Sequence, residues 1–210
     1  MRDYRAWHAA YDDPTTAQSQ RLLVVQARLR EALDQQPAGR IRLVSLCAGQ
    51  GRDVLGVLPR HSRRADVRAL LVELDPDNAA TARASATAAG LEGQVDVVEG
   101  DASISDAFHR WVPADVVLAC GIFGNIDDAD IERTTNNISM LCRTGSTVIW
   151  TRGGGGALVE RIRGWFLGAG FSEIAFDALD NSSRSGIGTC RLVVEPRRFE
   201  RGFRFFTFVC

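Results

Sequence analysis

A nearly continuous apolar run that breaks on two glycines constrains this chain more than any other stretch: Ile41-Arg-Leu-Val-Ser-Leu-Cys-Ala-Gly-Gln-Gly-Arg-Asp53. A strand without regular polar alternation is buried on both faces, as in parallel sheets flanked by helices. Gly49 and Gly51 let the backbone bend sharply and approach a ligand with no Cβ in the way. The helix expected from about Arg52 turns its free N–H groups into the same crevice. A nucleotide-like ligand is expected there. It does not read as a dinucleotide, because the third glycine of G-x-G-x-x-G would fall where Val54 stands.

The segments that follow repeat the alternation of buried strand and helix. The first crossover helix carries Val54, Leu55 and Leu58 and stops by Pro59; residues 60–66 form a solvated polar connection. Val67 to Glu73 reads as a second strand, after which Asp75 suits a helix N-cap, Pro76 its first position and Asp77 its positive end. That helix stops at Gly90. At the strand tip, Glu73 is placed to accept hydrogen bonds from both ribose hydroxyls of a nucleoside. Val95 to Ala102 gives a third strand, with Asp101 capping a helix from Ser103. Ala114 to Asn125 gives a fourth, whose exit turn from Cys120 to Asn125 emerges beside the glycine loop because a doubly wound sheet reverses direction there. Asp127 then caps a helix stapled by Ile126 and Ile131, with Ile138, Leu141 and Cys142 facing inward and Gly145 at its end.

Thr147 to Thr151 reads as a fifth strand, and Arg152 with Gly153 to Gly156 as a mobile loop over the crevice. Leu158, Ile162, Trp165 and Phe166 line one helix face, and Phe171 to Asp177 is a sixth strand. Residues 180–201 are polar and arginine-bearing and read as a loop near the substrate end, with a short extended piece around Thr189 to Glu195. Phe203 to Val209 is apolar on both faces, so it is expected as a closing antiparallel strand inserted between strands five and six.

Residues 1–39 read as an N-terminal helical extension, and 40–210 as one compact domain. Its helix is capped by Thr15 or Thr16, shows Leu22, Val25, Leu29 and Leu33 at helical spacing, and ends by Pro37 and Gly39. The aromatic segment before it (Tyr4, Trp7, His8, Tyr11) either folds over the crevice as a lid or packs on the sheet edge.

Composition sets limits. A net charge of -1 gives no global field toward nucleic acid or membrane. All 25 basic residues are arginine, which reads as codon bias from a GC-rich genome. The five cysteines are dispersed, with no C-x-x-C and no zinc spacing, and no signal peptide or apolar stretch long enough to span a bilayer is seen. Reduced thiols, no metal and a cytoplasmic, bacterial setting are expected.

Four segments in order (46–53, 72–77, 99–102 and 114–125) resemble a class I S-adenosylmethionine-dependent methyltransferase of a poorly characterised bacterial subfamily. Cys47 stands for the first glycine of that family's G-x-G-x-G loop, and Ser45 for a frequent acidic residue. The resemblance implies an α/β fold: a doubly wound seven-stranded sheet in the order 3-2-1-4-5-7-6, last strand antiparallel. It implies S-adenosylmethionine as cofactor and S-adenosylhomocysteine as product. The implied cofactor residues are Cys47, Ala48, Gly49, Gly51, Asp53, Glu73, Leu74, Asp101, Ala102, Cys120 and Gly121, with Asp101 and Ala102 on the adenine and Asp53 near the amino group. Candidates for acting on the acceptor are His8, Tyr11 and Asn125; His61 and His109 read as surface residues.

The acceptor is expected to be a small-molecule metabolite. No Asn/Asp-Pro-Pro-aromatic turn follows strand four, and no basic stripe with interleaved aromatics appears. The alternatives are an RNA or other nucleic-acid methyltransferase using Arg184, Arg191, Arg197 and Arg198, a nicotinamide-dependent oxidoreductase, and a non-catalytic cofactor-binding relative. Oligomeric state is open.

Overall fold

The computed structural model describes residues 10–209. Tyr4, Trp7, His8 and Cys210 lie outside the described residues. Seven strands form one sheet in the order β3-β2-β1-β4-β5-β7-β6: β1 (Ile41–Leu46), β2 (Val67–Glu73), β3 (Val95–Glu99), β4 (Ala114–Ala119), β5 (Cys142–Arg152), β6 (Phe171–Ala178) and β7 (Gly186–Leu192). β1 to β5 pair in parallel, and β7 runs antiparallel to both β5 and β6. The α/β class, the strand order and the N-terminal helix agree with the sequence reading.

Alternate residues of the central strands feed two cores. Leu43, Leu71 and Leu118 pack on one face beneath α1 (Ala17–Asp34), α2 (Arg52–Leu55) and α3 (Pro76–Ala88). Val44, Val72 and Val117 pack on the other beneath α4 (Asp128–Asn137) and α5 (Ala157–Gly168). The caps read from sequence are in place: Thr16 accepts from the Ser19 N–H, Asp75 from Asn78 and Asp127 from Asp130. Ile126 and Ile131 are both buried, as a hydrophobic staple requires.

Four elements depart from expectation. The seventh strand is Gly186–Leu192, three residues earlier at each end than the short extended piece expected around Thr189 to Glu195. It pairs Gly188 with Trp150, and a Cβ at Gly188 would lie 2.2 Å from the Trp150 ring. The glycine leaves room for that ring, which stacks on Phe166 at 5.7 Å. The strand's own Ile187, Cys190 and Leu192 are buried in the two cores, while its glycines make room for the neighbours' rings.

Phe203 to Val209 is not a strand. It makes a single isolated bridge, Arg204 to Ile104. Phe205 and Phe206 are nonetheless fully buried in the core beneath α4. The connection from β3 to β4 contains only a 3-10 turn, Ser105–Phe108, where the expectation had a helix from Ser103. The tail fills the space a crossover helix would cover. Its N–H groups go to the Ser103 carbonyl (2.8 Å), the Asp130 carboxylate (2.6 Å) and the Asn125 carbonyl (2.9 Å). The expected burial is met only at Phe205 and Phe206, while Arg204, Thr207, Phe208 and Val209 are exposed.

The fourth helix is also shorter than expected. It ends at Asn137, a 3-10 turn covers Ile138–Leu141, and Cys142 already begins β5, so Gly145 lies within that strand.

Gly188→Val forces a branched side chain into the Trp150 ring and is expected to cost at least about 2–3 kcal/mol of stability by overpacking. Denaturant unfolding measures it; an unchanged midpoint would show that Trp150 is free to move aside.

Candidate active site

The sheet changes winding direction between β1 and β4, and a cleft of about 460 Å³ opens at the carboxyl ends of these strands. Its floor is the turn after β1. Cys47 (φ 49°), Gly49 (φ 55°) and Gly51 (φ 69°) are all left-handed, so the chain coils tightly. The Ala48 N–H is tied to the Val72 carbonyl at 2.9 Å and the Gly51 N–H to the Ala48 carbonyl at 2.8 Å. Cys47 accepts a conformation that costs a residue with a Cβ roughly 1–2 kcal/mol. It does so at the position where the resemblance has glycine.

Cys47, Ala48, Gly49 and Asp53 line the cleft; Gly51 does not. A Cβ there would lie 2.6 Å from Leu71 Cδ2 and 3.1 Å from Leu55 Cδ1. The glycine is needed for the backbone turn and for packing on the core, not for ligand approach.

Glu73, at the tip of β2, is only 9% exposed. Its Oε2 accepts from the Gly49 N–H at 2.7 Å and its Oε1 from the Asp75 N–H at 2.9 Å. The carboxylate thus braces the glycine loop from the neighbouring strand while facing the cleft. Leu74 follows it, 60% exposed and also lining the cleft.

The crossover helix is a single turn, Arg52–Leu55, followed by a 3-10 turn at Leu58–Arg60. Gln26 of α1 packs against this turn: a Cβ at Gly56 would lie 2.2 Å from its amide nitrogen. That amide donates to the Arg52 carbonyl at 2.8 Å. Asp53 is buried beneath the cleft and accepts from the Val54 N–H at 2.8 Å. Burial pushes its carboxyl up to about 6, against which this hydrogen bond works.

The third corner is Asp101 and Ala102. Asp101 Oδ1 accepts from the Ser103 N–H at 2.9 Å, closing a turn instead of capping a helix. Ala102 is buried and both residues line the cleft. On the other side, Cys120 and Gly121 continue β4 into the exit turn. The Gly121 N–H donates to Thr151 Oγ1 at 2.9 Å, and Asn125 Nδ2 donates to the Gly121 carbonyl at 2.7 Å. Asn125 therefore shapes the turn while lining the cleft. Burial pushes the Cys47 and Cys120 thiols well up, so neither is a ready nucleophile.

The described part of the N-terminal segment covers this site. Tyr11 lines the cleft, its ring lies under the Arg52 guanidinium at 5.6 Å, and its hydroxyl accepts from Arg21 at 2.9 Å. Arg52 also bridges to Asp12 at 2.7 Å. Burial raises the Tyr11 hydroxyl, keeping it protonated at neutral pH. His8 falls outside the described residues. His61 is a correction: its side chain is only 5% exposed, packed near Asp34 at the foot of α1, while His109 is exposed. Arg152 and Gly153 to Gly156 contribute nothing to the lining, since the Gly154 N–H is held by the Ser183 carbonyl at 2.7 Å.

Arg21, Leu22 and Val25 of α1 line the cleft without having been singled out, as does Phe208 of the tail. Leu22 and Val25 carried a helical apolar spacing that read only as core. Arg21 and Phe208 carried no local signal.

Comparison with known proteins gives the following. The model of a family described as "Putative methyltransferase" matches residues 17–160. No curated protein matches the chain. Among solved structures, it is similar to an O-methyltransferase family protein from Burkholderia thailandensis (TM-score 0.69, 18% identity, covering 91% of this chain and 60% of that one). It is similar to an RNA methyltransferase from Salinibacter ruber in complex with S-adenosyl-L-homocysteine (TM-score 0.53, 19% identity, 84% and 96%). It is also similar to an O-methyltransferase family 2 protein from Planctomyces limnophilus in complex with apigenin (TM-score 0.57, 16% identity, 81% and 61%). At these identities the likeness is one of fold. The chain spans about three fifths of the length of the two O-methyltransferase relatives.

The Asp53 carboxyl generates a pH dependence whose sign is fixed. Its folded value of about 6 lies above the ordinary 3.8, so the folded chain holds this proton more tightly than the unfolded one. That stabilisation is complete below about pH 4 and is lost as pH rises through about 6, a change of about 3 kcal/mol. The stability difference between the wild type and Asp53→Asn should follow that curve in denaturant titrations from pH 4 to 8. Parallel curves would remove Asp53 from the account.

Proposed function

The chain belongs to the methyltransferase family whose model covers residues 17–160, and on that premise we propose that it methylates a small-molecule acceptor with S-adenosylmethionine. The observation that carries the reading is the braced turn: a buried strand-tip carboxylate, Glu73, holding the Gly49 N–H at 2.7 Å beside a buried Asp53. These residues fit a cationic nucleoside. Glu73 faces the cleft where ribose hydroxyls would be held, with Leu74 beside the base. Asp101 and the Ala102 N–H serve the adenine edge, and Cys47, Ala48 and Gly49 offer backbone along the methionyl portion. Asp53 serves the ammonium group, with Cys120 and Gly121 at the reacting end.

Charge supports this assignment. The lining carries four carboxylates (Asp53, Glu73, Asp75, Asp101) against two guanidinium groups (Arg21, Arg52). A net acidic cleft attracts a sulfonium and repels a polyanionic backbone. The arginines of the nucleic-acid alternative do not gather there. Arg184, Arg191, Arg197 and Arg198 are absent from the lining, and Arg191 pairs with Thr147 in the middle of β5. The position a dinucleotide loop reserves for glycine is filled by the fully buried Val54.

S-adenosylmethionine, when bound, supplies an already activated methyl group. The protein's task is then to hold the acceptor in line and exclude water, a contribution of about 7–11 kcal/mol in favourable cases. Tyr11, protonated and ordered by Arg21, suits orienting the acceptor by a hydrogen bond. Asn125 keeps the β4 turn in shape.

Calorimetry with S-adenosylmethionine, S-adenosylhomocysteine and NAD tests the proposal; binding of NAD alone would overturn it. Glu73→Ala should weaken binding of the adenosyl ligands by about 1.5–3 kcal/mol, and unchanged affinity would exclude Glu73 from the site. Affinity for S-adenosylmethionine should rise with pH through about 6 as the Asp53 carboxyl ionises, and Asp53→Asn should flatten that rise. A pH-independent wild-type affinity would remove Asp53 from the ammonium.

A further inference from the structure

The four carboxylates of the cleft stand at the carboxyl ends of β1, β2 and β3. Toward the β4 exit turn the lining changes character. The face of α1 that borders the cleft carries Arg21, Leu22 and Val25. Arg21 stands within electrostatic reach of Cys120: burial and then Asp53 push that thiol up, and the guanidinium pulls against them. Phe208 sits on the same turn, since the Val209 N–H donates to the Asn125 carbonyl at 2.9 Å and Asn125 Nδ2 to the Gly121 carbonyl at 2.7 Å. Phe208 is 37% exposed, and the buried Phe206 braces its ring at 5.3 Å.

Arg21 gives one N–H to the Tyr11 hydroxyl at 2.9 Å. A guanidinium has five such donors in a planar fork, and a phenol that accepts a hydrogen bond can still donate its own proton. Both groups can therefore converge on one anion. The other guanidinium of the lining is occupied elsewhere: Arg52 bridges to Asp12 at 2.7 Å, donates to Gln50 at 3.1 Å and lies over the Tyr11 ring. Burial also raises the Tyr11 hydroxyl and the Cys120 thiol, so both hold their protons at neutral pH. An alcohol, a phenol or an amine must shed a proton on methylation, and these two groups will not take it. A carboxylic acid arrives already ionised.

We propose that the acceptor is a small apolar carboxylic acid, gripped through its carboxylate by Arg21 and Tyr11 and methylated on a carboxylate oxygen. This rests on the S-adenosylmethionine reading above. A lone pair on that oxygen forms the new C–O bond while the methyl carbon's bond to sulfur breaks and its electron pair stays on sulfur. The products are a methyl ester and S-adenosylhomocysteine, and no proton has to be removed. Charge-assisted hydrogen bonds fix the carboxylate, and Leu22, Val25 and Phe208 cover the apolar body.

The test uses the full chain saturated with S-adenosylhomocysteine and matched probes: phenylacetate, its neutral amide phenylacetamide, and acetate, which lacks the ring. By calorimetry, phenylacetate should bind at least about ten-fold more tightly than either of the others. Arg21→Gln should weaken phenylacetate by about ten- to a hundred-fold and leave phenylacetamide and S-adenosylhomocysteine unchanged, and Arg21→Lys should restore part of the loss. With methyl-labelled S-adenosylmethionine and a panel of aryl and alkyl monocarboxylic acids, the product should release its label as methanol in mild alkali. Equal affinity for acid and amide would overturn the proposal, as would an alkali-stable product or an Arg21→Gln loss shared equally by all probes. Should Arg21→Gln fail to fold, Tyr11→Phe with an undiminished preference for the acid overturns it equally. A wild type that binds no S-adenosylhomocysteine would instead remove the S-adenosylmethionine reading itself.

Discussion

A carboxylate that is nine-tenths buried needs donors, and Glu73 finds them in two backbone N–H groups of different segments. One belongs to Gly49 in the turn after β1, the other to Asp75 at the cap of α3. That single side chain therefore relates the position of the glycine loop to the start of the next helix. The loop can stay coiled through three left-handed residues because it is held at Ala48, Gly49 and Gly51 by hydrogen bonds. The cleft inherits its floor and one wall from this arrangement, and the same carboxylate is one of the four that line it.

The two faces of the sheet are covered by different means. One carries α1, α2 and α3 in the usual manner of wound sheets. The other lacks a full helix between β3 and β4, and Phe205 and Phe206 of the tail close the gap. A tail used as core filler must satisfy its own backbone groups, since it has no helix or ladder to do so. It does this by borrowing acceptors from Ser103, Asn125 and Asp130. Those acceptors sit around the cleft, so a packing problem on one face brings an aromatic ring to the site.

What could be read in the sequence follows the range of the forces involved. Asp75, Thr16 and Asp127 were legible as caps because capping is settled within four residues. Glu73 and Asp101 were legible because a strand tip is set by the apolar run before it. The positive φ of Gly51 is local and was legible, but the direction a Cβ would take there depends on Leu71 of the neighbouring strand. The seventh strand was legible only as a short extended piece, because its glycines owe their fit to Trp150 and Phe176 on the neighbouring strands. Arg21 and Phe208 reach the cleft only through tertiary packing, and no window of sequence contains that information.

The placement of β7 also orders events during folding. It lies between β5 and β6 in the sheet yet follows both in the chain. As the polypeptide emerges during synthesis, the outer edge of β5 stays unpaired until residues 186–192 arrive, and β6 has no neighbour to join. An open strand edge is a template for pairing with other molecules. Newly made chains are thus most prone to associate wrongly at one identifiable border, and insertion of a glycine-bearing strand is what seals it.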